Sequence, residues 1–168
     1  IKSKQIKSLP DYCTGVEVGL DSNGRKNRGG TQMEQLVESF VAIFCHENNL
    51  EYLAQANAKK IKDTWNINLK VDKSSRIIDF VIYQKQEQKL FFIEVNFYNG
   101  GGSKLKSTAT EYIEMSRFWK DQNVEFIWVT DGKGWISTQN PLKDYFERGN
   151  LLINIDMLQN GYLEKIIL

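Results

Sequence analysis

Residues 76–83 read R-I-I-D-F-V-I-Y, and residues 91–104 read F-F-I-E-V-N-F-Y-N-G-G-G-S-K. Between them lies a short polar turn, Gln84 to Lys89. Each run is long enough for a strand and nearly continuous in apolar residues, which marks a sheet covered on both faces. Each run also breaks its own rule with one acid, Asp79 in the first and Glu94 in the second. A turn centred between Gln86 and Glu87 sets these two directly across from each other on one face. Their Cβ atoms would then be about 4.5–5.5 Å apart. Two carboxylates at that spacing repel, and each is costly to remove from water. Such a pair persists if it shares a proton or holds a cation, and a hard cation such as Mg²⁺ takes oxygen ligands. The plainer reading of each acid alone is a solvated edge position or a partner Arg or Lys. Asn96 lies two residues beyond Glu94 and so shares its face, where it can bond a water or substrate or satisfy its neighbours.

The remaining elements are placed around this hairpin. Met33, Leu36, Val37, Phe40, Val41 and Phe44 form the stripe of an amphipathic helix, which Thr31 is expected to open. Thr31-Gln-Met-Glu34 matches a capping box, a structural role for Glu34. A carboxylate in the first turn of that helix could also point at a cation held by the hairpin. Leu50 to Ala56 is expected to be extended, and Asn57 to cap a small helix ending near Trp65. Ser103 is expected to cap a helix running to about Asp121, with Leu105, Ala109, Tyr112, Ile113, Ser116 and Trp119 inward. Val124 to Thr130 is a third strong strand. Residues 141–148 predict a short helix, and Leu151 to Ile155 an added strand. A hairpin followed by a strand delivered through a helical crossover makes an α/β domain with a central mixed sheet flanked by helices.

Two loops have chemistry of their own. Asn99 to Ser107 carries Gly100, Gly101 and Gly102, then Ser103, Lys104 and Lys106, at the entry to a helix. Glycines let a backbone approach a large ligand, and a helix entry with lysines favours an anion. The spacing is not that of a nucleotide-binding P-loop, so a nucleic-acid phosphate is the better guess. Residues 21–30 are expected to be a second polar, glycine-rich loop, with Arg25, Lys26 and Arg28 available to guanine or phosphate. The bland alternative for both is a solvated turn.

The composition removes several classes. With 168 residues, 41% hydrophobic and 26% charged, the chain is expected to form one domain over residues 1–168. Twenty-two basic and 21 acidic residues nearly cancel, so a nucleic-acid partner needs a local basic patch. His46 is the single histidine, which argues against His-based triads and His-rich zinc sites. Cys13 and Cys45 have no metal-type spacing and read as reduced thiols of a cytoplasmic protein. No apolar run is long enough to cross a membrane, and no signal peptide is visible.

The pattern D79-x14-E94-V-N96 resembles the PD-(D/E)XK nuclease core. More narrowly, E-V-N-F-Y-N-G-G-G-S-K-L-K (94–106) and C-T-G-V-E-V-G-L-D-S-N-G-R-K-N-R-G-G-T-Q-M-E (13–34) resemble the DpnII/MboI-type restriction endonucleases. The similarity runs from about residue 12 to at least residue 130. It implies a restriction-system enzyme that cuts double-stranded DNA at GATC with Mg²⁺ and leaves a 5′-phosphate. It also implies a longer parent chain of which this is the catalytic portion. Carried over by position, Asp79 and Glu94 are the metal-binding acids and Glu34 the supporting acid of the first helix. Asn96 stands where the broad superfamily has a catalytic lysine, and Lys104 is the nearest lysine in sequence. GATC is a palindrome, so a two-fold homodimer is expected. The competing readings are a structure-specific nuclease of the same fold, a DNA-binding module with a decayed site, and a carboxylate-pair sugar hydrolase.

Overall fold

The computed structural model describes the backbone from Arg25 to Leu168 and the side chains from Gly29 onward. In chain order the elements are α1 (Arg25–Glu47), β1 (Glu51–Ala56), α2 (Ala58–Trp65), β2 (Ile78–Gln84), β3 (Lys89–Phe97) and α3 (Ser103–Lys120). There follow β4 (Val124–Asp131), a 3-10 turn (Lys133–Ser137), α4 (Asn140–Glu147), β5 (Leu151–Ile153), α5 (Ile155–Gln159) and α6 (Tyr162–Ile167). The strands form one five-stranded sheet in the order β1-β2-β3-β4-β5. β1, β2 and β3 are antiparallel neighbours, while β3, β4 and β5 run parallel. This is the mixed sheet expected from the hairpin and the crossover.

Both faces of the sheet are covered, which is why β2, β3 and β4 are apolar almost throughout. On one face α1 buries its stripe, from Met33 and Leu36 to Phe44, against Phe80, Ile82, Phe91, Ile93, Val95, Ile127 and Val129. On the other, Leu105, Ala109, Tyr112, Ile113, Met115 and Trp119 of α3 pack on Val81, Leu90, Phe92, Phe126 and Trp128. Removing that much apolar surface from water, at about 25 cal/mol per Å², is the main term holding the layers together. Of the inward residues expected on α3, Ser116 alone is only half-buried, and its hydroxyl donates to Asn150 Oδ1 at 2.8 Å. Asn57 caps α2 as expected, its side chain accepting from the N–H of Lys60 at 2.9 Å.

Two expectations fail at helix starts. α1 begins at Arg25, so residues 25–30, expected to be a flexible loop, have helical backbone, and Thr31 does not open the helix. Gly29 serves packing there. A Cβ on Gly29 would lie 3.3 Å from the ring of Phe97, so its absence lets α1 close down on the end of β3. Glu34 consequently sits well inside α1 rather than in its first turn, and the capping-box role falls away. Residues 21–24 of the expected loop, and Cys13, lie outside the described residues. At α3 the N-cap is Gly102, with φ of 138°, and Ser103 is the first helical residue rather than the cap. Only glycine adopts that backbone at no cost, and the chain needs it to turn from β3 into the helix.

Candidate active site

The β2–β3 ladder runs from Gln84↔Lys89 to Phe80↔Ile93. One residue further in this register, Asp79 stands across from Glu94, as the sequence spacing predicted. There the regular ladder gives way to side-chain bonding. Val95 N–H donates to Asp79 Oδ2 at 2.9 Å, and Gln55 Nε2 donates to Asp79 Oδ1 at 3.1 Å. Gln55 interrupts β1 with φ of 47°, a left-handed conformation costing about 1–2 kcal/mol in a non-glycine residue. Asp79 is therefore clamped from both flanking strands.

Glu94 is held from the other side. Its Oε2 accepts from the Tyr112 hydroxyl of α3 at 3.2 Å. The Asn96 amide bonds that same hydroxyl, and Asn96 Oδ1 accepts from Trp128 Nε1 at 3.0 Å. The chain Trp128–Asn96–Tyr112–Glu94 thus fixes the carboxylate through side chains rooted in the core. Tyr112 packs edge-on against Phe126 and Trp128, with ring centroids 5.3 and 5.1 Å apart, which leaves its ring little freedom. The helical spacing marks Tyr112 as a core residue, and Trp128 lies in an apolar strand. Only their polar tips mark them otherwise, and helical or strand periodicity carries no trace of a tip.

The electrostatics identify the strain point. Burial, and then the neighbouring Asp79 charge, push the Glu94 carboxyl up to about 8. Burial also raises Asp79, against the two hydrogen bonds it accepts. Glu34 is raised by burial and then by Asp79, so α1 brings its acid near enough to feel the Asp79 charge. Arg76 acts on Glu94 as a cation, but its guanidinium is bonded to Asp72 at 2.5 Å and to Glu111 at 3.1 Å. Charges that act on Glu94 include Asp79, Arg76 and Glu111. Lys104 and Lys106 are exposed on the first turn of α3, with no ion pair among the described residues.

Among the described residues no group of three or more His, Cys, Asp or Glu side chains is gathered to hold a metal. Asp79 and Glu94 nevertheless match a hard divalent cation in chemistry. They are two oxygen donors, side by side, each raised by burial and so deprived of part of its charge without a cation.

The triple glycine has a role inside the fold. A Cβ on Gly134 would lie 2.5 Å from the Gly100 carbonyl oxygen, and one on Gly101 would lie 2.4 Å from Ser137 Oγ. Gly134 N–H donates to the Tyr98 carbonyl at 2.8 Å. The loop after β3 and the loop after β4 are interlocked through their glycines. Gly100 and Gly102 meet nothing within 4 Å and stay open.

A helix-covered mixed five-stranded sheet whose hairpin carries two opposed acids is a restriction-endonuclease-like fold. The chain belongs to the DpnII restriction endonuclease family, which it matches over residues 1–165. It is 49% identical over 170 residues to the type II restriction enzyme MjaIII of Methanocaldococcus jannaschii, covering 99% of this chain and 59% of that one. It is 37% identical over 171 residues to the type II restriction enzyme DpnII of Streptococcus pneumoniae, again covering 99% of this chain and 59% of the relative. The chain therefore spans less than two thirds of these relatives' length. Among solved structures, it is similar to the MunI restriction endonuclease in complex with cognate DNA at a TM-score of 0.44 and 12% identity, covering 94% of each chain.

Proposed function

We propose that this chain is the catalytic portion of a type II restriction endonuclease that hydrolyses double-stranded DNA at GATC and leaves a 5′-phosphate. The observation that carries the reading is the opposition of Asp79 and Glu94 at the open end of the β2–β3 hairpin. Family membership supports the nuclease class, and the resemblance to GATC-cutting enzymes supports the site.

Asp79 and Glu94 would hold Mg²⁺, which when bound lowers the pKa of a water and offsets charge on the phosphorane-like transition state. The protein supplies position. Gln55 and Val95 N–H fix Asp79, and the Tyr112 hydroxyl fixes Glu94. Asn96 spends its carbonyl on Trp128 and an amide proton on Tyr112, so it acts here by orienting Glu94 rather than as a stand-in for lysine. Glu34 adds negative charge beside Asp79 and strengthens the pull on a cation. Exposed Lys104 and Lys106, with Ser103 and the open Gly100 and Gly102, are available to the DNA backbone. Arg25, Lys26 and Arg28, in the first turn of α1, are proposed as further DNA contacts. A palindromic site suits a two-fold homodimer in which each chain cuts one strand. Among the described residues no helix is long and apolar enough to cross a membrane, and a restriction enzyme working on cellular DNA belongs in the cytoplasm.

The test is cleavage of a plasmid bearing GATC sites, with Mg²⁺ or with EDTA, beside Glu94→Ala. Discrete fragments that require both the metal and Glu94 establish the reading. Equal cutting by Glu94→Ala removes it. GATC binding without cleavage in Mg²⁺ or Mn²⁺ favours a DNA-binding module.

A further inference from the structure

β3 and β4 run parallel in the register Phe97↔Asp131, so the loops that follow them leave the same edge of the sheet. β2 is antiparallel to β3, so its first residues, including Asp79, lie at that edge as well. A duplex whose scissile phosphate reaches Asp79 and Glu94 therefore passes over both loops. The second of these, residues 132–140, has no role in the reading so far.

This segment is rigidly seated. Trp135 is buried, its ring edge-on to Tyr98 and Trp128 at 5.3 and 5.5 Å, and its Nε1 donates to Thr130 Oγ1 at 2.9 Å. Gly134 is clasped by Tyr98 and Gly100. With Trp135 turned inward, its neighbour Ile136 is turned outward and is 73% exposed. Gln139 and Asn140 are also exposed, and their side chains make no hydrogen bond among the described residues. Between this segment and the start of α3 lies a cleft of about 560 Å³, lined by Gly102, Ser103 and Lys106 on one wall and by residues 136–141 on the other. Among the described residues no acid lines it, and the one charged side chain that does is the cation of Lys106.

The geometry points to this cleft as a base-reading wall of the DNA site, with Gln139, Asn140 and Ile136 as specificity-determining residues and Lys106 as a phosphate contact. Carboxamides pair two-pronged with the N6 and N7 edge of adenine, and an exposed aliphatic group meets the thymine methyl. An A·T step is the centre of GATC, so the chemistry of the wall and the proposed site agree. A seat anchored by Trp135 and the glycine clasp suits the purpose, because reading a base edge needs side chains held on a rigid support. The assignment rests on the nuclease reading above.

The experiment is a fluorescence-anisotropy titration of the chain, in EDTA, with two labelled duplexes that differ only in a central GATC or GGCC. The double variant Gln139→Ala/Asn140→Ala is expected to lose about 10–100-fold of the preference for GATC, with its salt dependence unchanged. Lys106→Met is expected to weaken both duplexes alike and to lower the slope of log affinity against log salt by about one. Both variants change exposed side chains, and a circular-dichroism melt matching the parent shows that the fold is kept. A parent that prefers GATC beside a double variant that keeps the preference within twofold overturns the assignment alone. A parent that prefers neither duplex, or binds neither, removes the GATC reading and this assignment with it.

Discussion

Asp79 Oδ2 accepts the backbone N–H of Val95 at 2.9 Å, so a side-chain carboxylate does the work of a strand carbonyl at the point where β2 and β3 part. One group both ends the ladder and faces Glu94. Asp79→Asn keeps the size but halves the acceptor set, and its amide must turn a donor toward either Val95 N–H or Gln55. We expect cleavage to fall by at least about 1,000-fold, the loss of one metal-binding charge being worth about 4 kcal/mol of transition-state stabilisation. A single-turnover assay with saturating Mg²⁺ checks this, and a variant within tenfold of the parent would remove Asp79 from the site.

Tyr112→Phe deletes the hydroxyl that links Asn96 to Glu94 and leaves the ring packing intact. Burial, then the Glu94 charge, raise the tyrosine far above its ordinary value, so it keeps its proton and acts only as an oriented donor. Catalysis is expected to drop about 10–100-fold through kcat, with KM for DNA within twofold, since only the acid proposed to hold the metal is loosened. A change confined to KM would instead place Tyr112 on the DNA-binding side.

The interlocked loops predict opposite outcomes for two glycine substitutions. Gly134→Ala would press a methyl group on the Gly100 and Tyr98 carbonyls, both backbone, so one loop must move. Chemical denaturation should show a loss of about 2–4 kcal/mol. Gly30→Ala, in α1 with open space around it, should gain about 0.4–1 kcal/mol by restricting the unfolded chain. A neutral Gly134→Ala would show that the two loops are not tightly joined.

The sequence carried the hairpin, its register and the acid pair because a covered strand tolerates almost no polar residue, so Asp79 and Glu94 stood out against their neighbours. It carried the α1 stripe for the same reason. It misplaced the start of α1 because Gly29 and Gly30 are ordinary loop signals, whereas here Gly29 exists to admit Phe97. The hydrogen bonds that Gln55, Tyr112 and Trp128 make around the acid pair were not legible in the sequence. Gln55 acts through a left-handed backbone that no residue type announces, and the other two act through single polar atoms on otherwise buried rings. The contact between the Gly100–Gly101 and Gly132–Gly134 loops joins residues far apart in sequence, and only the parallel register of β3 and β4 brings them together.

The metal role proposed for Glu94 links metal binding, pH and stability in one measurable relation. Its carboxyl titrates at about 8 in the metal-free fold, above the ordinary value of 4.5, with burial the main cause and Asp79 the second. Between those values the folded chain binds the proton more tightly than the unfolded chain does. The stability that this gives is complete below about pH 4.5 and is lost as pH rises through about 8. Glu94→Gln keeps an acceptor for Tyr112 but removes the charge, so at pH 8.5 without metal its melting temperature should exceed the parent's. A gain of about 2 kcal/mol corresponds to roughly 4–8 °C in a domain this size. At pH 4 the two should nearly coincide. On the proposed site, Mg²⁺ held by Glu94 would have to displace the proton, so its apparent affinity for the parent should fall about tenfold per unit below pH 8. Calorimetric titration at pH 6.5 and 8.5, in buffers of different ionisation enthalpy, would count the proton released. Equal affinities at the two pH values, with no proton released, would show that Glu94 does not hold the metal.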